Sequence, residues 1–214
     1  MEAELKLSFP SDIELYATLD AEWFLSSISI LDIKKEEYCN RYLDTKERDA
    51  HQHRLSLRIR HVLGQDYIHT VKCGATYSGG FSKRFEWNHH SMNSEFDAGA
   101  FLKETTEEED PKEILSEALA PILGKKLEDV CATEFVRSTI TAEFSGSVVE
   151  ICLDTGKCVA GDKSTPICEM EIELVRGKEQ AIEDLGKIVI ENTDAYEQTI
   201  SKYARCLMLL EKEE

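Results

Sequence analysis

Residues 1–7 read Met1-Glu2-Ala3-Glu4-Leu5-Lys6-Leu7. Side chains two apart share a face of a β-strand. Glu2, Glu4 and Lys6 therefore point one way, and Ala3, Leu5 and Leu7 the other. A half-exposed antiparallel strand with a charged wet face has this pattern. So does one wall of a closed ring whose charges point inward onto a ligand. The remaining strands decide between the two.

Eight strand-like segments cover residues 1–9, 36–45, 53–62, 66–74, 82–90, 132–144, 147–156 and 167–177, with Gly, Ser, Asn and Asp between them. Such a succession pairs mostly antiparallel. Helical spacing is expected over 11–28, 110–123, 177–193 and 199–214. The first opens with a capping box, Ser11 to Glu14, and the second with Asp110 as N-cap and Pro111 in its first turn. The acidic run 106–111 reads as a solvated loop, and no repeat of solenoid period is present. One domain, 1–214, is expected.

The opening grammar recurs. Arg58 and Arg60 alternate with Leu57 and Ile59, and Lys72 is flanked by Val71 and Cys73. Arg84 and Glu86 bracket Phe85; Glu150 and Asp154 alternate with Ile151 and Leu153; Glu169, Glu171 and Glu173 alternate with Met170, Ile172 and Leu174. An ordinary sheet with a solvated charged face and weak cross-strand ion pairs accounts for much of this. It does not account for the grouping by sign. Like charges at i and i+2 repel unless metal ions lie between the carboxylates and phosphates between the guanidinium groups.

Composition narrows the classes. The chain has 214 residues, 42% of them hydrophobic, enough for a sizeable core. A net charge of −17 argues against sequence-independent binding to nucleic acid or anionic lipid. No apolar run approaches the ~20 residues that span a bilayer, and the patterned strand starting at Met1 leaves no room for a signal peptide. The seven cysteines are odd in number and lack C-x-x-C spacing, so neither a disulfide framework nor a structural zinc site is expected. A soluble protein of the reducing cytoplasm is the reading. His51, His53, His89 and His90 lack companion ligands and read as exposed turn residues.

E-x-E-x-K at 2–6, YLDT at 42–45, LRIR at 57–60, TVK at 70–72, RFE at 84–86, EICLDTG at 150–156, ICEMEIEL at 167–174 and SKYAR at 201–205 resemble, in order, the motifs of the CYTH, or triphosphate tunnel metalloenzyme, superfamily. GGFSKRFEWN and ICEMEIELVRG are most similar to bacterial inorganic triphosphatases, many of which carry a further helical CHAD domain. The resemblance implies an α+β fold: a closed eight-stranded antiparallel β-barrel, or tunnel, with helices packed outside. It implies Mg²⁺ or Mn²⁺, two ions, and a small triphosphate substrate.

Carried over by motif, Glu2, Glu4, Glu86, Asp154, Glu169 and Glu171 would hold metal. Lys6, Arg58, Arg60, Lys72, Arg84, Arg137 and Lys202 would bind the phosphates, with Lys6, Arg58, Arg60 and Lys202 acting in catalysis. Ser8 stands where some members have a second basic residue. Glu173 stays unassigned between lining carboxylate and surface charge, and Tyr42 and Asp44 are given a structural part near the tunnel mouth. The charged residues are expected to converge, with Leu5, Ile59 and Ile172 pointing outward. The acidic pairs are expected to serve catalysis rather than folding, so that Glu4→Gln or Glu169→Gln leaves stability unchanged or raised.

Inorganic triphosphatase is the leading reading. A class IV-type adenylate cyclase, a thiamine triphosphatase and a non-catalytic polyphosphate or nucleotide sensor are the alternatives, and the oligomeric state stays open.

Overall fold

In the computed structural model, which describes residues 1–62, 66–104 and 112–211, the alternating opening segment is strand β1, Glu2–Ser8. It is followed by β2 (Ser29–Asp44), β3 (Ser56–Val62), β4 (Tyr67–Ser78), β5 (Phe81–Ser91), β6 (Glu128–Phe144), β7 (Ser147–Ala160) and β8 (Lys163–Arg176). A short β9, Tyr196–Glu197, also pairs with β1. The order is β5-β4-β3-β2-β6-β7-β8-β1, and β1 pairs with β5 as well, so eight antiparallel strands form a ring.

The helices are α1 (Asp12–Ala17), α2 (Glu22–Ser27), α3 (Asp49–Gln52), α4 (Ala98–Glu104), α5 (Lys112–Leu119), α6 (Gln180–Asn192) and α7 (Lys202–Leu210). The helix expected over 11–28 is broken by a 3-10 turn at Thr18–Asp20. Its capping box is half formed. Ser11 Oγ accepts from Glu14 N at 3.2 Å, while the Glu14 carboxylate accepts from Asp194 N at 2.8 Å. The expectations for Asp110, Pro111 and the acidic run lie outside the described residues. His89 and His90 belong to β5 rather than a turn, and His51 belongs to α3.

The apolar face of the ring is the covered one. Leu5, Leu7, Ile151 and Ile172 pack with Leu15 of α1, Phe24 of α2, and Leu185 and Val189 of α6. Leu57, Ile59 and Val71 pack with Phe101 of α4 and Leu115 and Leu119 of α5. Each such buried aliphatic side chain contributes about 1.5–3 kcal/mol. Leu5, Ile59 and Ile172 thus face the helices. At Gly186 a Cβ would stand 2.0 Å from Leu5 Cδ2, so glycine lets α6 lie close on β1. Helix α7 differs from the others. Its Cys206 and Leu209 pack with Tyr38, Tyr42, Phe135 and Ile167, residues that share strand parity with the charges, so α7 covers the inner face.

Candidate active site

Strand register decides which charges meet, because residues directly opposite on paired strands point to the same face. Glu2 lies opposite Arg84, Lys6 opposite Glu171, and Lys72 opposite Glu86. Glu173 lies opposite Glu4 on one side and Glu150 on the other. A row of three carboxylates therefore crosses β7, β8 and β1. Like charges so placed are destabilising unless a cation intervenes.

The inner face encloses a cavity of about 610 Å³ lined by Glu2, Glu4, Lys6, Arg58, Arg60, Lys72, Arg84, Glu86, Arg137, Glu171 and Lys202, and by Glu173. Asp154 and Glu169 lie beneath this lining, both fully buried. The motif residues thus come together, with those two set behind the rest. Glu173 is the member that motif reading left unassigned, although its parity with Glu169 and Glu171 already pointed inward.

At one end, Arg84 Nε donates to Glu2 Oε2 at 2.7 Å, and Lys72 Nζ to Glu2 at 3.1 and 3.2 Å. Glu4 accepts from Ser82 Oγ at 3.0 Å and pairs with Lys6 and Arg84. Carboxylate oxygens of Glu2, Glu4 and Glu173 lie within 4.8 Å of one another. Burial pushes the Glu173 carboxyl up to about 8; Arg137 opposes the rise, and Glu2, Glu171 and Glu4 add to it. This crowding of hard oxygen donors suits a divalent cation of the Mg²⁺ or Mn²⁺ kind.

The second carboxylate group, Asp154, Glu169 and Glu171, is equally close-set and more deeply buried, and like the first it is met by cations of the protein. Arg137 grips Asp154 through two bonds of 2.7 Å and also meets Glu171. Lys202 Nζ lies 2.6 Å from Asp154 and 2.9 Å from Glu171, and also pairs with Glu169. Arg205, one turn on from Lys202, pairs with Glu169 from the same helix face. Burial alone would lower the Lys202 ammonium, but the three carboxylates outweigh it and raise it well above its usual value. Glu169 is thus a buried counter-ion to two cations, an arrangement that speaks against the expectation that Glu169→Gln leaves stability unchanged. Ser8, opposite Glu169, has its hydroxyl held by Gln198 Nε2 at 2.8 Å.

The basic wall is β3. Arg58 Nη2 donates to Thr70 Oγ1 at 2.9 Å and lies 3.8 Å from Glu86. Burial would raise the Glu86 carboxyl, but Lys72 and Arg58 hold it below the usual range. Arg60 Nε donates to Asn40 Oδ1 at 3.1 Å, and its guanidinium sits 4.2 Å over the Tyr38 ring. Burial, then repulsion by Arg58 and Arg137, lowers Arg60 to about 10. An anion beside it would relieve that repulsion.

Asp44 builds the cavity rim. Its carboxylate accepts from Thr45 N, Ala50 N and His51 N at 2.7, 2.8 and 3.0 Å, fixing α3 so that His51, His53 and Arg54 edge the opening. Tyr42 stacks on Tyr203 of α7 with centroids 4.9 Å apart.

The CYTH domain family model matches residues 1–207. An inorganic triphosphatase of Haemophilus influenzae is 28% identical over 212 residues, 99% of this chain and 56% of that protein. The chain thus spans little more than half the length of that curated relative. Among solved structures, an adenylyl cyclase candidate of Hippeastrum described as having a dominant triphosphatase activity superposes with a TM-score of 0.68 at 19% identity, over 97% of this chain and 96% of that one. An adenylate cyclase candidate of Vibrio parahaemolyticus gives 0.55 at 16% identity, over 97% of each chain. These two likenesses show a shared fold.

Proposed function

Since the chain belongs to the CYTH domain family, we propose that it is a metal-dependent inorganic triphosphatase cleaving tripolyphosphate to pyrophosphate and phosphate in a tunnel through the ring. The observation that carries this reading is the cavity itself, where a carboxylate row on β8 and β1 shares one space with the guanidinium groups of β3. A pure anion binder has no use for that row. The seven free thiols suit a reducing cytoplasm.

Glu2, Glu4 and Glu173 would hold the cation. When bound, a divalent ion supplies charge neutralisation and Lewis-acid polarisation of phosphoryl oxygens. Phosphoryl transfer depends chiefly on positioning and electrostatics. Arg58 and Arg60 offer planar forks to phosphate oxygens, and Lys72 and Lys202 act as point charges. Arg60 is the most available of them, being held by an amide and a ring rather than a carboxylate. Asp154, Glu169 and Arg205 fix where Lys202 points.

Phosphate release from tripolyphosphate, ATP, thiamine triphosphate and pyrophosphate, with Mg²⁺ and with Mn²⁺, tests the reading. The expected result is the highest kcat/KM for tripolyphosphate and little turnover of pyrophosphate, too short to reach both walls. ATP as the better substrate, with cyclic AMP as product, would replace the triphosphatase by the cyclase.

A further inference from the structure

Strand β2 is longer than the ring requires. Residues Ser29–Asp44 pair with β6, but β3 pairs only with Tyr38–Leu43. Along Ser29–Glu37, therefore, no strand among the described residues covers the other edge. That edge is not polar: Ile30, Leu31 and Ile33 are 42%, 55% and 61% exposed. An open edge with large apolar side chains is a template for another strand. Lys34, Lys35 and the irregular register between Ile30 and Asp32 discourage pairing with arbitrary strands. They do not discourage every partner.

We propose that this edge joins a second copy of the chain in an antiparallel, two-fold symmetric dimer centred on Ile33. Such an axis keeps inner face with inner face, and each register is centred on one residue, which meets itself. Ile33 is the midpoint of the free segment. Centred there, Ile33 meets Ile33 on the outer face, and Asp32 lies opposite Lys34 of the second copy twice over. Registers centred on Asp32, Lys34 or Lys35 instead put like charges face to face. Among the registers centred on residues 32–35, the one centred on Ile33 alone sets no like charges face to face. The inference is independent of the reaction catalysed, since Asp32, Ile33 and Lys34 lie outside the cavity lining.

Sedimentation equilibrium and light scattering on the full chain, over a concentration series, test it. The wild type should show a concentration-dependent dimer. Asp32→Lys or Lys34→Asp alone, each an exposed change, should weaken dimerisation about tenfold by opposing like charges twice per interface. The Asp32→Lys/Lys34→Asp double variant should restore it. A chain monomeric at its highest soluble concentration would overturn the proposal. So would a dimer indifferent to the single reversals, or a double variant that fails to recover.

Discussion

Glu169 and Glu173 stand four residues apart on one strand face and carry opposite consequences. Glu169 is fully buried and paired with Lys202 and Arg205, so removing its charge strands two cations in the interior. Breaking such a buried pair costs about 3 kcal/mol. Glu169→Gln should therefore lower Tm by several degrees, with or without metal. Glu173 is crowded by Glu4 and Glu150 across the sheet. Glu173→Gln removes that repulsion, so in chelator its Tm should equal or exceed that of the wild type, while activity falls steeply. Paired melting curves of the two variants in EDTA check this. Equal Tm losses would mean that Glu173 is as firmly paired as Glu169. Parity in the sequence put both residues on one strand face, but no parity rule shows that Glu169 meets two close cations and Glu173 only Arg137 at 3.5 Å.

At the scale of elements, β4 carries a buried group that the charge pattern leaves out. His69 is 1% exposed on the outer face, its Nε2 donating to Asn93 O at 2.9 Å and its Nδ1 buried without a partner. Burial lowers its pKa below the usual 6.5, with the Asn93 carbonyl pulling the other way. A depressed folded value means that acid favours the unfolded chain. Above that usual value both states are neutral and His69 contributes nothing. As pH falls through it, the unfolded chain takes up a proton that the folded one resists, so stability drops. Between about pH 7 and pH 5 the wild type should lose more stability than His69→Asn, which keeps a side-chain N–H donor. Parallel Tm–pH curves for the two would sink the assignment. Local pattern also missed α3, whose single turn is made by the Asp44 carboxylate rather than by propensity. It started β2 seven residues late, because Ser29–Lys35 is exposed on both faces and carries no clean alternation.

For the whole molecule, β1 is the closing strand. Its Glu2–Leu5 part pairs with β5 and its Glu4–Ser8 part with β8. Glu2 and Glu4 on β1 and Glu173 on β8 straddle that closure. A cation held by all three would lock the ring, so metal binding and ring stability are linked. At a hundred times its Kd, Mg²⁺ or Mn²⁺ should add about 2.7 kcal/mol. Hydrogen exchange with and without metal should show the gain in protection concentrated in β1 and the facing part of β8. Uniform protection, or none, would place the ion elsewhere.

Alternation of charge and hydrophobe by itself located most of the strands and showed which side chains share a face, because side-chain period is a local property of the chain, whereas the inward turn of the charged face was what the family resemblance implied. The ordered motifs pointed to the family on the same footing. Tertiary structure alone decided the rest. Only the register between β8 and β1 put Glu173 beside Glu4, with Arg137 Nη1 3.5 Å from its carboxylate. Only the placement of α7 against the inner face made Asp154 and Glu169 buried counter-ions of Lys202 and Arg205 instead of cavity lining. Which cations meet these buried carboxylates depends on groups at least 17 residues away, and distance along the chain carries no record of that distance in space.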